Sequence, residues 1–284
     1  MSIQLGLVGN SIAQSRSPAL HQMLGQIYGV DVSYTLHDPM SAAPDAFAVK
    51  IQQLQDQGYR GCNVTYPFKQ LAVDLVDKID RAVAEVESTN TLLFCGQEIH
   101  AKNTDYSGFI AAYRSRLNAV PAGRVVMLGA GGVGRAVAFG LFQIGASHLT
   151  VFDTDSDRAQ QLVTAINDCG YDAKWITQAE LEAEIRSADG LVNCTPVGHH
   201  STPGNPIPPL WLGTQTWAFD AVYVPIDTEF LVSAKAAGLK IISGFDLFFF
   251  QGIDAFEGFT GIKVEPVSVL DSFKAAFNIQ SDLF

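Results

Sequence analysis

The sequence predicts a two-domain α/β protein, on three observations. Apolar strand-like runs alternate with helix-length segments along most of the chain, the pattern of βαβ units. One fully apolar run, Val125-Val126-Met127-Leu128, leads directly into Gly129-Ala130-Gly131-Gly132-Val133-Gly134 and a helix, the strand–turn–helix order of a parallel nucleotide-binding unit. The 284 residues, 48% hydrophobic, supply enough apolar surface for two cores of ordinary size. The expected layout is an N-terminal α/β domain with a mixed sheet, residues 1–105 plus 246–284, and a parallel α/β domain, residues 106–245.

Ile3 to Val8 reads as the first strand. Ser17-Pro18 then reads as an N-cap and an N1 proline. The helix carries Leu20, Leu24, Ile27 and Tyr28 on one face and ends at Gly29. Ser15, Ser17 and the N–H groups at this helix start suit an anion such as a carboxylate, while Ser17 taken alone reads equally as a plain cap. Val32 to His37 is a second strand, and Ser41 to Gln57 a helix with Gly58 at its C-cap. Gly61-Cys62-Asn63-Val64 is a buried strand followed by Thr65-Tyr66-Pro67-Phe68-Lys69, read as a helix start with Pro67 at its first position. Lys69 is thereby expected in the first helical turn, where the dipole disfavours an ammonium and the amine gives up its proton more readily, as a general acid/base lysine must. By position alone, a solvated lysine reaching away from the turn is the simpler reading. Leu71, Leu75 and Val76 continue an apolar helical face, and residues 79–86 suggest another short helix. Residues 89–95 and 98–102 read as a hairpin turning at Gly96-Gln97. Asn103-Thr104-Asp105 follows, then a helix through Leu117.

Gly129, Gly131 and Gly134 fit G-x-G-x-x-G in its required setting, where the glycines permit the tight turn, the approach of pyrophosphate and close helix–strand packing. A Rossmann-type domain is the expectation, and a glycine turn without a nucleotide the alternative. The next strand, residues 148–152, ends in Asp153, placed to accept from the adenosine ribose and to repel a 2′-phosphate. NAD is favoured on that ground, with NADP possible, since Arg158 can meet a phosphate and Asp153 can instead cap the helix 156–168. Alternation continues through residues 173–176, 180–188 and 190–194 to the loop Thr195-Pro196-Val197-Gly198, then through residues 217–222, a helix around Leu231 and a strand 240–242. Helices 246–256 and 267–277 close the chain and are expected to pack on the N-terminal domain.

A net charge of −11 argues against nucleic acid and anionic membranes as partners, so an anionic ligand must be held by local donors. Cys62, Cys95, Cys169 and Cys194 are widely spaced, which suggests a reducing compartment and no metal site; adjacent His199 and His200 suit a metal poorly. No secretory signal or membrane-length apolar run is seen, so a cytoplasmic protein is expected.

Taken together, Ser15-Arg16-Ser17-Pro18, Asn63 to Lys69, Asn90-Thr91, Asn103-Thr104-Asp105, Gly129-Ala130-Gly131-Gly132, Thr195-Pro196-Val197-Gly198, Asp220-Ala221-Val222-Tyr223 and Gln251-Gly252 resemble the shikimate dehydrogenase family, quinate/shikimate dehydrogenases included, over nearly the whole chain. The resemblance implies reversible hydride transfer between a nicotinamide and a ring hydroxyl of a cyclic polyol carboxylate. It implies Lys69 and Asp105 as the catalytic pair, Ser15 and Ser17 on the substrate carboxylate, Thr65, Asn90 and Gln251 on ring hydroxyls, Tyr223 lining the site near the nicotinamide, and Asn63 as a further substrate-binding residue. It further implies a dinucleotide along Gly129, Ala130, Gly131, Gly132, Val133, Gly134, Asp153, Arg158, Thr195, Pro196, Val197, Val222 and Gly244, in a monomer or homodimer. Departures cluster near the substrate and nicotinamide: Ser11 and Gln14 where Pro and His are usual, Glu87-Ser88-Thr89 before Asn90, Tyr106 in place of Gly, His199 in place of Met, and Asp153 where NADP-using members carry an Asn-Arg-Thr run. Two readings compete: a metabolite sensor without turnover, which Lys69, Asp105 and Gln251 disfavour, and a folate one-carbon dehydrogenase, which the paired serines and the Thr65/Lys69 spacing disfavour.

Overall fold

The computed structural model describes residues 2–39 and 43–283. The chain divides into two compact units, Met1–Thr104 with Phe249–Ile279, and Asp105–Phe248 with Gln280–Phe284. Residues 246–248 and 280–284, expected with the first domain, group with the second. There Lys235 Nζ donates to the Asp282 and Leu283 carbonyls, and Ser281 Oγ donates to the Asp227 carboxylate.

The first unit opens with β1 (Ile3–Val8), α1 (Ser17–Ile27), β2 (Val32–His37), α2 (Pro44–Asp56) and β3 (Gly61–Val64). A 3-10 helix (Leu71–Leu75), β4 (Lys78–Ile79), α3 (Arg81–Val86), β5 (Thr91–Cys95) and β6 (Glu98–Lys102) follow. The sheet order is β2-β1-β3-β5-β6-β4. Helical crossovers make β1, β2 and β3 parallel, while the two-residue turn at Gly96 makes β5 and β6 antiparallel, so the sheet is mixed.

The second unit contains most of α4 (Thr104–Leu117), then β7 (Gly123–Leu128), α5 (Gly132–Gln143), β8 (Ala146–Phe152), α6 (Ser156–Asp168) and β9 (Ala173–Trp175). It continues with α7 (Leu181–Ser187), β10 (Gly190–Asn193), a 3-10 helix (Pro209–Trp211), β11 (Trp217–Asp220), α8 (Glu229–Ala236) and β12 (Lys240–Ser243). Every pairing is parallel, in the order β12-β11-β10-β7-β8-β9. The chain leaves β7 in one direction and resumes at β10 on its other side, which is the doubly wound arrangement with its crevice beyond the carboxyl ends of β7 and β10. Helix α9 (Gly244–Thr260) starts in this unit and continues in the first; α10 (Pro266–Ala276) packs on α1. Within the first unit, Phe47, Ile51 and Leu54 of α2 cover one face of the sheet, and Ala255 and Phe259 of α9 meet Leu5, Leu7 and Tyr34 on the other. Among the described residues no helix is long and apolar enough to cross a membrane.

Several local expectations change. The N-cap of α1 is Arg16, and Ser17 is the first helical residue, its N–H donating to Ser15 Oγ at 3.3 Å. The buried face of α1 is Leu20, His21, Leu24 and Gly25, with Ile27 44% exposed. The proposed helix start at Ser41 lies outside the described residues. Residues 78–79 form β4, and α3 begins only after Asp80, whose carboxylate caps it through the Val83 N–H. No α-helix starts at Pro67: Tyr66–Pro67 is a cis peptide, and the chain turns until the 3-10 helix at Leu71. The carbonyls of Tyr66 and Lys69, which an α-helix would enlist, accept instead from Asn10 N–H (2.9 Å) and Thr89 N–H (2.8 Å). Lys69 therefore sits in a turn outside any α-helical first turn, and the dipole effect expected from its position is absent.

Candidate active site

Register gathers the candidate residues of the first unit at one edge of its sheet. Ser15 and Ser17 follow the end of β1, and Thr65 and Lys69 follow the end of its parallel neighbour β3. Because β5 runs antiparallel to β3, its start lies at the same edge, with Asn63 opposite Thr91 and Asn90 just before it. The end of β6 returns there too, with Thr91 opposite Lys102, so Asn103-Thr104 and the first turn of α4 begin at that edge. Gln251 arrives on α9. A Cβ on its neighbour Gly252 would fall 2.4 Å from Leu20 Cδ1, so only glycine allows α9 this close to α1.

One hydrogen-bonded chain runs behind these positions. Ser15 Oγ donates to Ser17 Oγ (3.2 Å), Ser17 bonds to the Tyr34 phenol, and Tyr34 donates to Asn63 Oδ1 (2.8 Å). Asn63 Nδ2 donates to Thr91 Oγ1 (3.0 Å) and to the Asn90 carbonyl (3.3 Å). Asn90 Oδ1 accepts from the Thr104 N–H (2.7 Å), and Thr104 Oγ1 stands 3.5 Å from Gln251 Oε1. Asn63 is buried and also bonds His21, so its amide is taken up inside the unit. It also donates to the Asn90 carbonyl, and the resemblance implied it among the substrate-binding residues. Thr65, Lys69, Ser15, Ser17 and Gln251 are partly exposed, while Asn90 is as buried as Asn63 and bonds Thr104 through both its amide atoms. Burial drives the His21 pKa down to about 3, the Asn63 bond opposing it, and raises that of Tyr34. Both rings are neutral near pH 7. The Lys69 carbonyl accepts from Thr89 N–H, and the Thr104 N–H donates to the adjacent Asn90, so both are fixed to the loop before β5.

In the second unit the three glycines have three separate reasons. Gly129 holds φ +94° and a Cβ on it would fall 2.7 Å from the Cys194 carbonyl. A Cβ on Gly134 would fall 2.2 Å from the Gly129 oxygen, so α5 can seat on the turn only with glycine there. Around Gly131, the N-cap of α5, no described heavy atom lies within 4 Å of where a Cβ would stand. That open cradle of N–H groups at a helix start fits a pyrophosphate. Ala130 donates to Asp153 Oδ2 (2.7 Å), and Asp153 Oδ1 accepts from Asp155 N–H (2.9 Å). The cap of α6 is Asp155, through the Arg158 N–H, which removes the helix-cap alternative for Asp153; the exposed Arg158 guanidinium pairs with Asp155 at 3.5 Å. Thr195, Pro196 and Val197 follow β10 beside the glycine turn. Val222 lies just past β11, and Tyr223 stacks on Phe248, ring centroids 5.3 Å apart. A Cβ on Gly244 would fall 2.3 Å from the Ala221 carbonyl oxygen, a packing reason for that glycine.

The shikimate dehydrogenase substrate binding domain matches residues 7–92, and the saccharopine dehydrogenase NADP binding domain matches residues 125–202. A shikimate dehydrogenase (NADP(+)) of Arthrobacter sp. (strain FB24) is 36% identical over 270 residues, covering 93% of this chain and 92% of the relative. The chain belongs to the shikimate/quinate dehydrogenase family. A quinate/shikimate dehydrogenase (NAD(+)) of Corynebacterium efficiens is another member, 36% identical over 275 residues and covering 92% and 94%. The solved quinate dehydrogenase from Corynebacterium glutamicum in complex with NAD superposes with a TM-score of 0.90 at 33% identity, covering 96% of this chain and 99% of that one.

For a member of this family, Ser88 and Thr89 have a physical reason. Both are fully buried; Asn103 Nδ2 donates to the Ser88 carbonyl (2.9 Å), and Thr89 Oγ1 donates to the Lys102 carbonyl (2.6 Å). They lace the loop carrying Asn90 to the start of α4. Sequence reasoning passed over His21, Tyr34, Thr104 and Asn193, which hold the candidate residues through hydrogen bonds. The signal for Tyr34 and Asn193 was a polar group inside or ending an otherwise apolar strand, which must find a buried partner.

Proposed function

We propose that the protein is an NAD-dependent dehydrogenase that interconverts a ring hydroxyl and a ketone of a cyclic polyol carboxylate of the shikimate or quinate kind. The observation supporting this most is that two serine hydroxyls, Asn90 and Gln251 lie on one hydrogen-bond network at one sheet edge of the first unit, with Thr65 and Lys69 on the chain that follows β3 at that same edge. A polyol acid needs several oriented donors and acceptors, since a wrong ligand leaves some of them unpaired. Ser15 and Ser17, at the start of α1, hold the carboxylate, and Thr65, Asn90 and Gln251 meet the ring hydroxyls, while Tyr223 of the second unit would serve near the nicotinamide. Asn63 donates to the Asn90 carbonyl. When bound, the nicotinamide supplies the hydride acceptor. Lys69 takes the proton of the reacting hydroxyl, and Asp105 keeps that amine oriented and stabilises its charged form. In the reverse direction Lys69 returns the proton to the forming alkoxide.

Gly129 to Gly134 and Thr195 to Val197 would hold the dinucleotide. The Asp153 carboxylate would accept from its ribose and favour NAD over NADP, although relatives bear both names. Initial rates with shikimate and with quinate, each with NAD and with NADP, test the reading; no turnover with any pair would overturn it. Lys69→Ala is expected to lower kcat by about 10²–10⁴-fold. Near-wild-type turnover in that variant would remove Lys69 from its role.

A further inference from the structure

Asp220 ends β11 fully buried, and nothing assigned to Val222 or Tyr223 explains its carboxylate. Three donors converge on it: Asn193 Nδ2 (2.9 Å) and Val222 N–H (3.0 Å) on Oδ1, and Thr228 Oγ1 (2.7 Å) on Oδ2. Burial pushes its pKa up to about 7 against these bonds. A well-packed apolar residue would avoid that penalty, so the group is best understood through what it holds. Asn193, also fully buried, passes the constraint onward. Its Nδ2 donates to the Val197 carbonyl (3.0 Å) as well as to Asp220, while its Oδ1 accepts from Thr195 N–H (3.0 Å) and Oγ1 (2.6 Å). Thr195 Oγ1 in turn accepts from Val197 N–H (3.2 Å). These residues form the lip that abuts the glycine turn: a Cβ on Gly129 would stand 2.8 Å from the Thr195 nitrogen.

We propose that Asp220 is a positioning residue for dinucleotide binding, holding Asn193 in the one amide orientation that shapes the Thr195–Val197 lip. Asp220 Oδ1 also accepts from the Val222 N–H, so it faces Asn193 as an acceptor whether or not the carboxyl carries a proton; Nδ2 of Asn193 must face it, and Oδ1 of Asn193 is left for Thr195. Alanine at 220 removes that acceptor. Asn193 can then flip, setting its oxygen against the Val197 carbonyl and breaking both bonds to Thr195. The inference rests on the dinucleotide reading of the second unit.

The test is a fluorescence titration of the full-length protein with NADH. Asp220→Ala is expected to bind NADH about tenfold more weakly, as for loss of a buried hydrogen-bonded pair. Its KM for NAD should rise to match, while kcat and the KM for the ring acid stay within about twofold. Thr228→Val removes the Oδ2 donor and the cap of α8 without touching Asn193; it is expected to melt earlier and to bind NADH unchanged. Unchanged NADH affinity in a folded Asp220→Ala protein overturns the inference. So does equal weakening in Thr228→Val, which would make the carboxylate a stability element only. Should Asp220→Ala fail to fold, Asp220→Ser, with room for a water to meet the donors, is read by the same criteria. Failure of the wild type to bind NADH or NADPH overturns the dinucleotide reading as well, and is thereby distinct from loss of the inference alone.

Discussion

His21 lies at the base of the first unit's network, 2% exposed and stacked on Tyr34 with ring centroids 4.9 Å apart. Burial is the larger influence on it and lowers its pKa to about 3. In the unfolded chain the imidazole titrates near ~6.5. Between these values the unfolded state binds a proton that the folded state refuses. The contribution of His21 to stability is therefore present above about pH 6.5 and is lost as the pH falls toward 3. From pH 7 to pH 5 the loss amounts to about 2 kcal/mol. His21→Phe keeps a ring against Tyr34 and cannot take the proton. Urea unfolding at the two pH values should show the variant losing about 2 kcal/mol less than wild type over that interval; equal losses would mean that His21 is protonated in the folded state. This residue was illegible in the sequence because the apolar stripe of Leu20 and Leu24 was extended to Ile27 and Tyr28. The stripe turns the other way because both Tyr34 and Phe256 cover α1 at His21.

The turn from β7 into α5 separates a glycine needed by the fold from one that the proposed dinucleotide would need. Gly134→Ala drives a methyl toward the Gly129 oxygen, 2.2 Å away, and α5 must shift; a loss of about 1–3 kcal/mol in stability is expected. Gly131→Ala meets open space, so its melting temperature should match wild type while NAD affinity falls about tenfold or more, where the pyrophosphate would approach. An unchanged NAD affinity in Gly131→Ala would place the pyrophosphate elsewhere. This element was legible because its signal is local: an apolar strand, then glycines at fixed spacing, then a helix. The turn at Tyr66–Pro67 was not. A proline after a strand marks a helix start and a turn alike, and the choice was made by Asn10 and Thr89, distant in sequence, which claim the carbonyls of Tyr66 and Lys69. Likewise β4 is two residues paired with β6, and no periodicity reveals that.

On the scale of the whole molecule, the two sheets followed from alternation. The ends of the units did not, since residues 280–284 join the second unit through bonds to Lys235 and Asp227 that lie some fifty positions back. Net charge is the other property of the whole chain, and it bears on the choice between dinucleotides. At −11 the protein repels every anionic ligand, and a 2′-phosphate adds charge to be repelled. Two contributions to NAD preference can thus be told apart by range. The general field acts over the screening length, which falls from about 30 Å to about 10 Å as salt rises from about 0.01 to 0.1 M. Asp153, proposed to meet the ribose, would act at contact distance and escape most of that screening. Raising salt should therefore lower the KM for NADP more than that for NAD, yet leave a preference for NAD. In Asp153→Ser that residual preference should collapse at every salt concentration, while the salt-dependent part survives. If the wild-type preference vanishes with salt, the general field alone is responsible; if Asp153→Ser keeps the wild-type ratio, the carboxylate does not read the ribose.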